Sequence, residues 1–269
     1  MFAAYHNHTT LSEGKTSVSE RYDAAFGKGV RDLGISDHFC VFPDGSTRPW
    51  SMVSSKVDEY ISEIRSYNRG PSAFAKIGLE IEWFTDHHSI LPPLIEGLEL
   101  DFRMGSLHHV GEAFFDDCFS PKRSEEDRLE MWRKYWTLKR KMAESGLFDM
   151  VTHIDMPKRL RFFPEKELEK EIDEALDAFA AYNVAVILYT ASFSLPCRGA
   201  YASPSILEKC RELDISVTLS ADGHEPAKIH YEFERGISVL KKAGFSEIAR
   251  FREREISFKP IEEALEKVD

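Results

Sequence analysis

Short apolar runs alternate with amphipathic stretches along almost all of the 269-residue chain. The runs Ala3–His8, Asp32–Ser36, Ala75–Ile81, Phe102–Leu107, Phe148–His153, Val184–Tyr189 and Ile215–Leu219 predict strands, with a further short one at Glu247–Arg250. Helical periodicity fills the gaps. Ser17-Val18-Ser19-Glu20 has the form of a capping box ahead of the first helix. Val53, Val57, Ile61 and Ile64 stripe the second. Ser124 opens a long helix carrying Leu129, Trp132, Trp136, Lys139 and Met142. Leu168, Ile172, Leu176 and Phe179 stripe the next, Ser203-Pro204 reads as an N-cap with proline in the first turn, and Pro260 starts a last helix. The alternation indicates βα units around a parallel sheet. No linker, repeat or composition break divides residues 1–269, so one α/β domain is expected. The loop Phe42–Ser51, with Pro43, Gly45 and Pro49, follows the second strand, where a barrel enzyme keeps its site.

Composition narrows the partners. The chain is 42% hydrophobic and 12% aromatic, enough for one large core, and its net charge of -11 argues against general nucleic-acid binding. Its four cysteines, Cys40, Cys118, Cys197 and Cys210, make no C-x-x-C motif and read as free thiols of a reducing compartment. The first residues run straight into a strand without signal-peptide character, and no apolar run is long enough to span a membrane. A cytoplasmic location follows as the expectation. The oligomeric state is left open.

Chemistry enters through the ends of the predicted strands. His6 and His8 end strand one, and alternate residues of a strand share a face. Asp37-His38 follows strand two, Glu80 and Glu82 end strand three, His108-His109 end strand four, His153 ends strand five, and Asp222-Gly223-His224 follows strand seven. A single histidine at a strand end is usually a hydrogen-bonded structural residue. Recurrence of imidazole and carboxylate at one topological position points instead to a closed barrel that gathers metal ligands at one rim. These donors suit Zn, Mn or Fe, and the lack of cysteine among them argues against a structural zinc site. His87-His88 read as loop residues and His230 as an exposed helix face. Lys158, Arg159 and Arg161 follow His153, and Arg198 follows strand six. Basic side chains just beyond a ligand strand favour an anionic substrate, with Arg161 and Arg198 preferred as the phosphate fork. Tyr189, ending strand six, is placed to stack on a substrate ring or to pack the strand end.

In family order, the chain carries His6-Asn7-His8-Thr9-Thr10-Leu11-Ser12-Glu13-Gly14, Ser36-Asp37-His38, Gly78-Leu79-Glu80, Gly105-Ser106-Leu107-His108, Thr152-His153-Ile154-Asp155 and Asp222-Gly223-His224. With these it resembles the PHP (polymerase and histidinol phosphatase) family, most closely the histidinol-phosphate phosphatases. The stretches His153–Arg159 and Arg198–Ser205 extend the likeness. The resemblance implies a distorted, TIM-like (β/α)7 barrel with two or three divalent metals at the strand C-termini. It implies His6, His8, Glu13, His38, Glu80, His108, His153, Asp222 and His224 as ligands. Glu80 would bridge two ions. The first would sit on His6, His8 and Asp222, the second on His108 and His153, and the third on His38 and His224 with Glu13. Asp37 then orients ligands rather than binding metal. Strand six departs from the family's E-x-N pattern, reading Ile187-Leu188-Tyr189.

The expected activity is hydrolysis of a small phosphorylated metabolite, L-histidinol phosphate above others, by attack of metal-bound hydroxide. Arg161 or Arg198 would steady the phosphoryl charge, and Asp222 or a nearby histidine such as His224 would handle protons. The strand-six departure keeps open a nucleotide or sugar phosphatase or a phosphodiesterase, and a non-catalytic metal-binding module is the third alternative. His8→Ala or Asp222→Ala is expected to abolish turnover through loss of metal, checked by elemental analysis beside phosphate release. Arg198→Ala is expected chiefly to raise KM; unchanged kinetic constants would show that Arg198 is misplaced in this scheme.

Overall fold

The computed structural model describes residues 3–67, 75–85, 89–197 and 199–264. Seven parallel strands form the barrel in sequence order: β1 Ala3–Ala4, β2 Asp32–Ile35, β3 Ala75–Glu82, β4 Phe102–Ser106, β5 Met150–Val151, β6 Ala185–Tyr189 and β7 Val217–Ser220. Beyond β2 the chain pairs again at His38–Phe39, whose register sets His38 directly opposite Glu80. Between β7 and β1 the ring closes through a single parallel bridge, Asn7 with Gly223. The His8 amide donates to Gly223 O at 3.0 Å and the Gly223 amide to His6 O at 2.9 Å. The two histidine-bearing pairs are thus the seam of a nearly closed barrel. Gly223 permits the approach: a Cβ there would lie 2.4 Å from Asn7 Oδ1.

Strands β1 and β5 are shorter than their apolar runs predict. Near the rim, side chains take over from the ladder: Ser220 Oγ accepts from the His6 amide at 3.1 Å, and Asn7 Nδ2 donates to Ala4 O and Gly34 O at 2.9 and 3.0 Å. Tyr5 packs inside the barrel while its neighbour His6 faces the rim cluster, so the period-two alternation expected through His8 breaks where the β1 ladder stops.

Tyr5, Phe102, Met104, Met150 and Ile187 fill the barrel interior and meet Ala249 and Phe251 from below. Those last two lie on Glu247–Arg252, which is a strand as expected but stands outside the barrel, paired antiparallel with Glu255–Pro260. This hairpin floors the barrel. The Tyr5 hydroxyl donates to Asp32 Oδ2 at 2.7 Å, Arg250 pairs with Asp32, and the Phe251 amide donates to Tyr5 Oη at 3.2 Å.

The helices cover the outside as their stripes predict. Ser17 and Glu20 make the reciprocal capping box of Val18–Gly27, and Ser124 caps Glu125–Glu144. Val53 is a correction: it precedes a short 3-10 turn, is 43% exposed, and leaves the buried stripe to Val57, Tyr60, Ile61 and Ile64. Ser203 precedes Pro204–Glu212 without capping it, because its hydroxyl is spent on Asp155. His230 lies in a half-buried turn before the helix Phe233–Lys242, and His87-His88 fall outside the described residues. Cys40, Cys118 and Cys210 are buried free thiols and Cys197 is half-buried. Among the described residues no helix is long and apolar enough to cross a membrane.

Gly34 sits where β1 crowds β2. A Cβ there would meet Tyr5 Cα at 2.5 Å and Tyr5 O at 2.6 Å, both backbone atoms that cannot swing aside. Gly34→Ala is therefore expected to destabilise the fold by about 1–3 kcal/mol, measured as a lowered urea midpoint.

Candidate metal centre

Glu80 is the hub of the rim. Fully buried on β3, its carboxylate lies 2.9 Å from His6 Nε2, 3.5 Å from His8 Nε2, 2.8 Å from His38 Nδ1, 3.7 Å from His108 Nε2 and 3.5 Å from His153 Nε2. Asp222 faces it across the seam, 3.4 Å from His6, 2.9 Å from His8, 3.6 Å from His153 and 3.3 Å from His224 Nδ1. Glu13, more exposed, joins His38 and His224 at 3.2 and 3.0 Å. All nine residues expected to hold metal therefore meet in one connected cluster.

Four groups of three donors are close enough for one ion each: His6, His8 and Asp222; His6, Glu80 and His153; His38, Glu80 and His108; and His8, His38 and His224. The first matches the expected grouping. The other three differ from it: His153 groups with His6 rather than His108, His108 groups with His38, and His8 reaches His38 and His224. Glu13 completes none of the four.

The donor chemistry fits divalent cations. His8 Nε2 and Asp222 Oδ1 are 2.9 Å apart but poorly aligned for a hydrogen bond, and both atoms, with Glu80 Oε1, are buried without a well-formed hydrogen bond. Orphaned buried ligand atoms of this kind need an explanation, and a shared cation supplies one. Burial, with the nearby His38 charge, lowers the His8 pKa to about 3, and burial lowers His153 to about 4. Both imidazoles are neutral at pH 7, the form that binds metal. Burial opposes ionisation of Glu80 and Asp222, but the surrounding imidazoles hold both carboxyls well below their usual range. For His224, burial is outweighed by Asp222 and Glu13, which push it up to about 9 in the metal-free protein.

Backbone geometry is specialised at the same places. His153 and Asp222 adopt left-handed φ values of 50° and 52°. Such conformations cost about 1–3 kcal/mol each for non-glycine residues and persist where surrounding contacts impose them.

Supporting side chains form a second layer. Both Asp37 oxygens accept from Thr9 and Ser12, consistent with an orienting role. Glu82, counted with Glu80 among the strand-end donors, joins none of the four groups, and its supporting role was missed. It accepts from the His108 and His109 amides at 2.8 and 3.0 Å and contacts their Nδ1 atoms at 2.7 and 3.1 Å. Burial opposes its charge, yet His108 and His109 hold it down to about 2. Trp50, at the end of the Phe42–Ser51 loop, was also missed: its ring lies 5.0 Å from His38 and 6.0 Å from His108. Only the position of that loop after strand two hinted at it.

The expected substrate-binding residues divide. Tyr189 lines the rim, its ring 5.0 Å from His153 and stacked on Tyr201 at 5.3 Å. Lys158 is a correction: its buried ammonium is used by Asp155 and Ser203, each at 2.7 Å, and by Ala200 O. Arg159 is likewise engaged, donating to both Asp116 oxygens at 2.7 Å over the Phe115 ring. Arg161 is exposed at the end of a 3-10 turn, and its guanidinium has no ion pair or hydrogen bond among the described residues. Arg198 lies outside the described residues.

A parallel barrel with an imidazole–carboxylate rim fit for divalent metal defines the class, a metal-centred barrel hydrolase. The PHP domain family model matches residues 4–191, and the chain belongs to that family. It is a metal-dependent phosphoesterase of the PHP type. A probable histidinol-phosphatase of Deinococcus radiodurans is 27% identical over 255 residues, covering 93% of this chain and 96% of that one. The histidinol-phosphatase of Lactococcus lactis is 23% identical, covering 92% and 93%. The crystal structure of the L. lactis histidinol phosphate phosphatase, complexed with zinc, L-histidinol and phosphate, superposes with a TM-score of 0.78 at 21% identity, covering 95% of this chain and 98% of that one. A putative histidinol phosphatase of Listeria monocytogenes gives 0.73 at 18% identity, with 87% and 99% covered. These structural likenesses establish the shared fold.

Glu82→Gln keeps the shape of the side chain and removes its charge. It is expected to weaken metal binding by roughly 10–100-fold in a chelator competition, with the circular dichroism spectrum unchanged.

Proposed function

We propose that the protein is a phosphomonoesterase that converts L-histidinol phosphate to L-histidinol and phosphate. The observation that carries the proposal is the buried Glu80 carboxylate among five imidazoles, with orphaned ligand atoms around it. Relatives matching over nine-tenths of the chain and bearing the histidinol-phosphatase name support the substrate. Two or three ions of Zn, Mn or Fe would be held by His6, His8, His38, Glu80, His108, His153, Asp222 and His224, with Glu13 at the outer edge. When bound, such ions supply Lewis acidity toward phosphoryl oxygens and a nucleophile from water near neutral pH.

The chain's own groups divide the remaining work. Glu80 and Asp222 bring anionic charge to the rim, and the neutral His8 and His153 offer lone pairs. Trp50 and Tyr189 stand beside the rim, Trp50 against His38 and His108 and Tyr189 against His153. Of the three basic residues after His153, Arg161 has its guanidinium free for phosphate oxygens, whereas Arg159 and the buried Lys158 are engaged within the protein. His224 is the most exposed imidazole of the set, 31% against 12% or less for the others, so of the two groups expected to handle protons it is the one placed to pass a proton to the leaving alcohol, while the ionised Asp222 can only accept one.

A second reading rests on Tyr189. An aromatic ring beside His153, where the family pattern has polar groups, favours a different phosphorylated metabolite such as a nucleotide or sugar phosphate. Phosphate release should be compared across histidinol phosphate, nucleoside monophosphates, sugar phosphates and an aryl phosphodiester, with Mn, Fe and Zn loaded separately. The proposal expects the highest kcat/KM for histidinol phosphate. Absence of that preference overturns the substrate, and metal binding without turnover of any ester would favour a non-catalytic module.

A further inference from the structure

Lys139 stands on the apolar stripe of the helix Glu125–Glu144 and is fully buried, with no exposed surface. A lysine is among the residues least often buried, and removing its charge from water is costly. A methionine of similar length would fill the same space without that cost. The lysine therefore needs a use beyond packing, and its contacts supply one. Its Nζ donates to Thr152 O at 2.9 Å. One turn earlier on the same helix face, the fully buried Tyr135 donates its hydroxyl to His153 O at 2.8 Å. An i, i+4 pair thus takes two consecutive carbonyls.

Those carbonyls lie where β5 stops. Its ladder ends at Val151, and past the Thr152 amide the chain turns into the left-handed conformation of His153. Without the helix, the Thr152 carbonyl would be buried without a partner, and the His153 carbonyl would keep only the Met156 amide at 3.1 Å. The turn they stabilise sets two rim imidazoles. It carries His153 Nε2 to 3.5 Å from Glu80 and 3.6 Å from Asp222, and it places Thr152 Oγ1 3.2 Å from His6 Nδ1. The same device recurs at β1, where the fully buried Arg21 donates to His8 O at 2.8 Å.

We propose that Tyr135 and Lys139 are positioning residues of the metal centre: they hold the Thr152 and His153 carbonyls, fix the left-handed turn, and so aim His153 and His6 at the shared cation space. Burial draws the Lys139 ammonium down to about 7, against the opposing fields of Glu82, Glu80 and Asp155; in either protonation state Nζ donates to the carbonyl. The inference rests on the reading of the rim as a divalent-metal site.

The test uses the full chain with Lys139→Met and Tyr135→Phe. Zinc affinity is measured by chelator competition, the ligand field by the visible spectrum of the cobalt-loaded protein, and stability by urea denaturation of the metal-free protein. The expected result is a loss of zinc affinity of roughly 10–100-fold in each variant and an altered cobalt spectrum, whatever the change in stability of the metal-free protein. Zinc affinity changed by less than about twofold, with an unchanged cobalt spectrum, would overturn the proposal even if stability fell. Tyr135→Phe loses one hydroxyl only and carries the test if Lys139→Met fails to fold. A parent protein that binds neither metal would instead overturn the reading of the rim.

Discussion

A single carboxylate, Glu80, is buried without solvent contact and remains ionised because imidazoles surround it. An isolated charge at such a depth would neutralise or unfold its surroundings. Here His6, His8, His38, His108 and His153 converge on it from four other segments of the barrel. The compensation works in both directions. Glu80 stabilises the imidazoles that approach it, and the orphaned lone pairs left over are what a divalent ion requires.

That arrangement constrains the backbone beneath it. His6 and His8 reach the rim because the first and last strands are joined by the Asn7–Gly223 bridge, with no Cβ at Gly223 to block it. His153 and Asp222 reach it through left-handed turns. The barrel is regular below, where Phe102, Met104 and Ile187 pack against a hairpin floor, and irregular above, where ladders give way to side-chain hydrogen bonds. Irregularity at the rim and regularity in the interior follow from their tasks: the interior must fill space, and the rim must aim atoms.

Some of this was open to inspection in the order of residues. Strands and helices were legible because hydrophobic periods of two and 3.6 are local properties. The candidate donors other than Glu13 were legible because each follows an apolar run at its C-terminal end, while Glu13 was marked only by its family motif. The basic residues were not. Lys158 looked like a phosphate contact until Ala200 and Ser203, more than forty residues on, claimed its donors, and Arg159 was claimed by Asp116. Glu82 and Trp50 carried no local mark of their neighbours His108, His109 and His38.

By itself the sequence determined the alternation of strands and helices, the chemical kind of the rim and the family motifs, since these depend on residue type and spacing. Only the tertiary structure decided which donors lie close enough for one ion, His153 beside His6 and Glu80 and His8 beside both His6 and His38, and which basic side chains are already engaged within the protein. The reason is distance: each of those choices is made between groups far apart in the chain, by differences of a few tenths of an ångström in contact distance that no local pattern encodes.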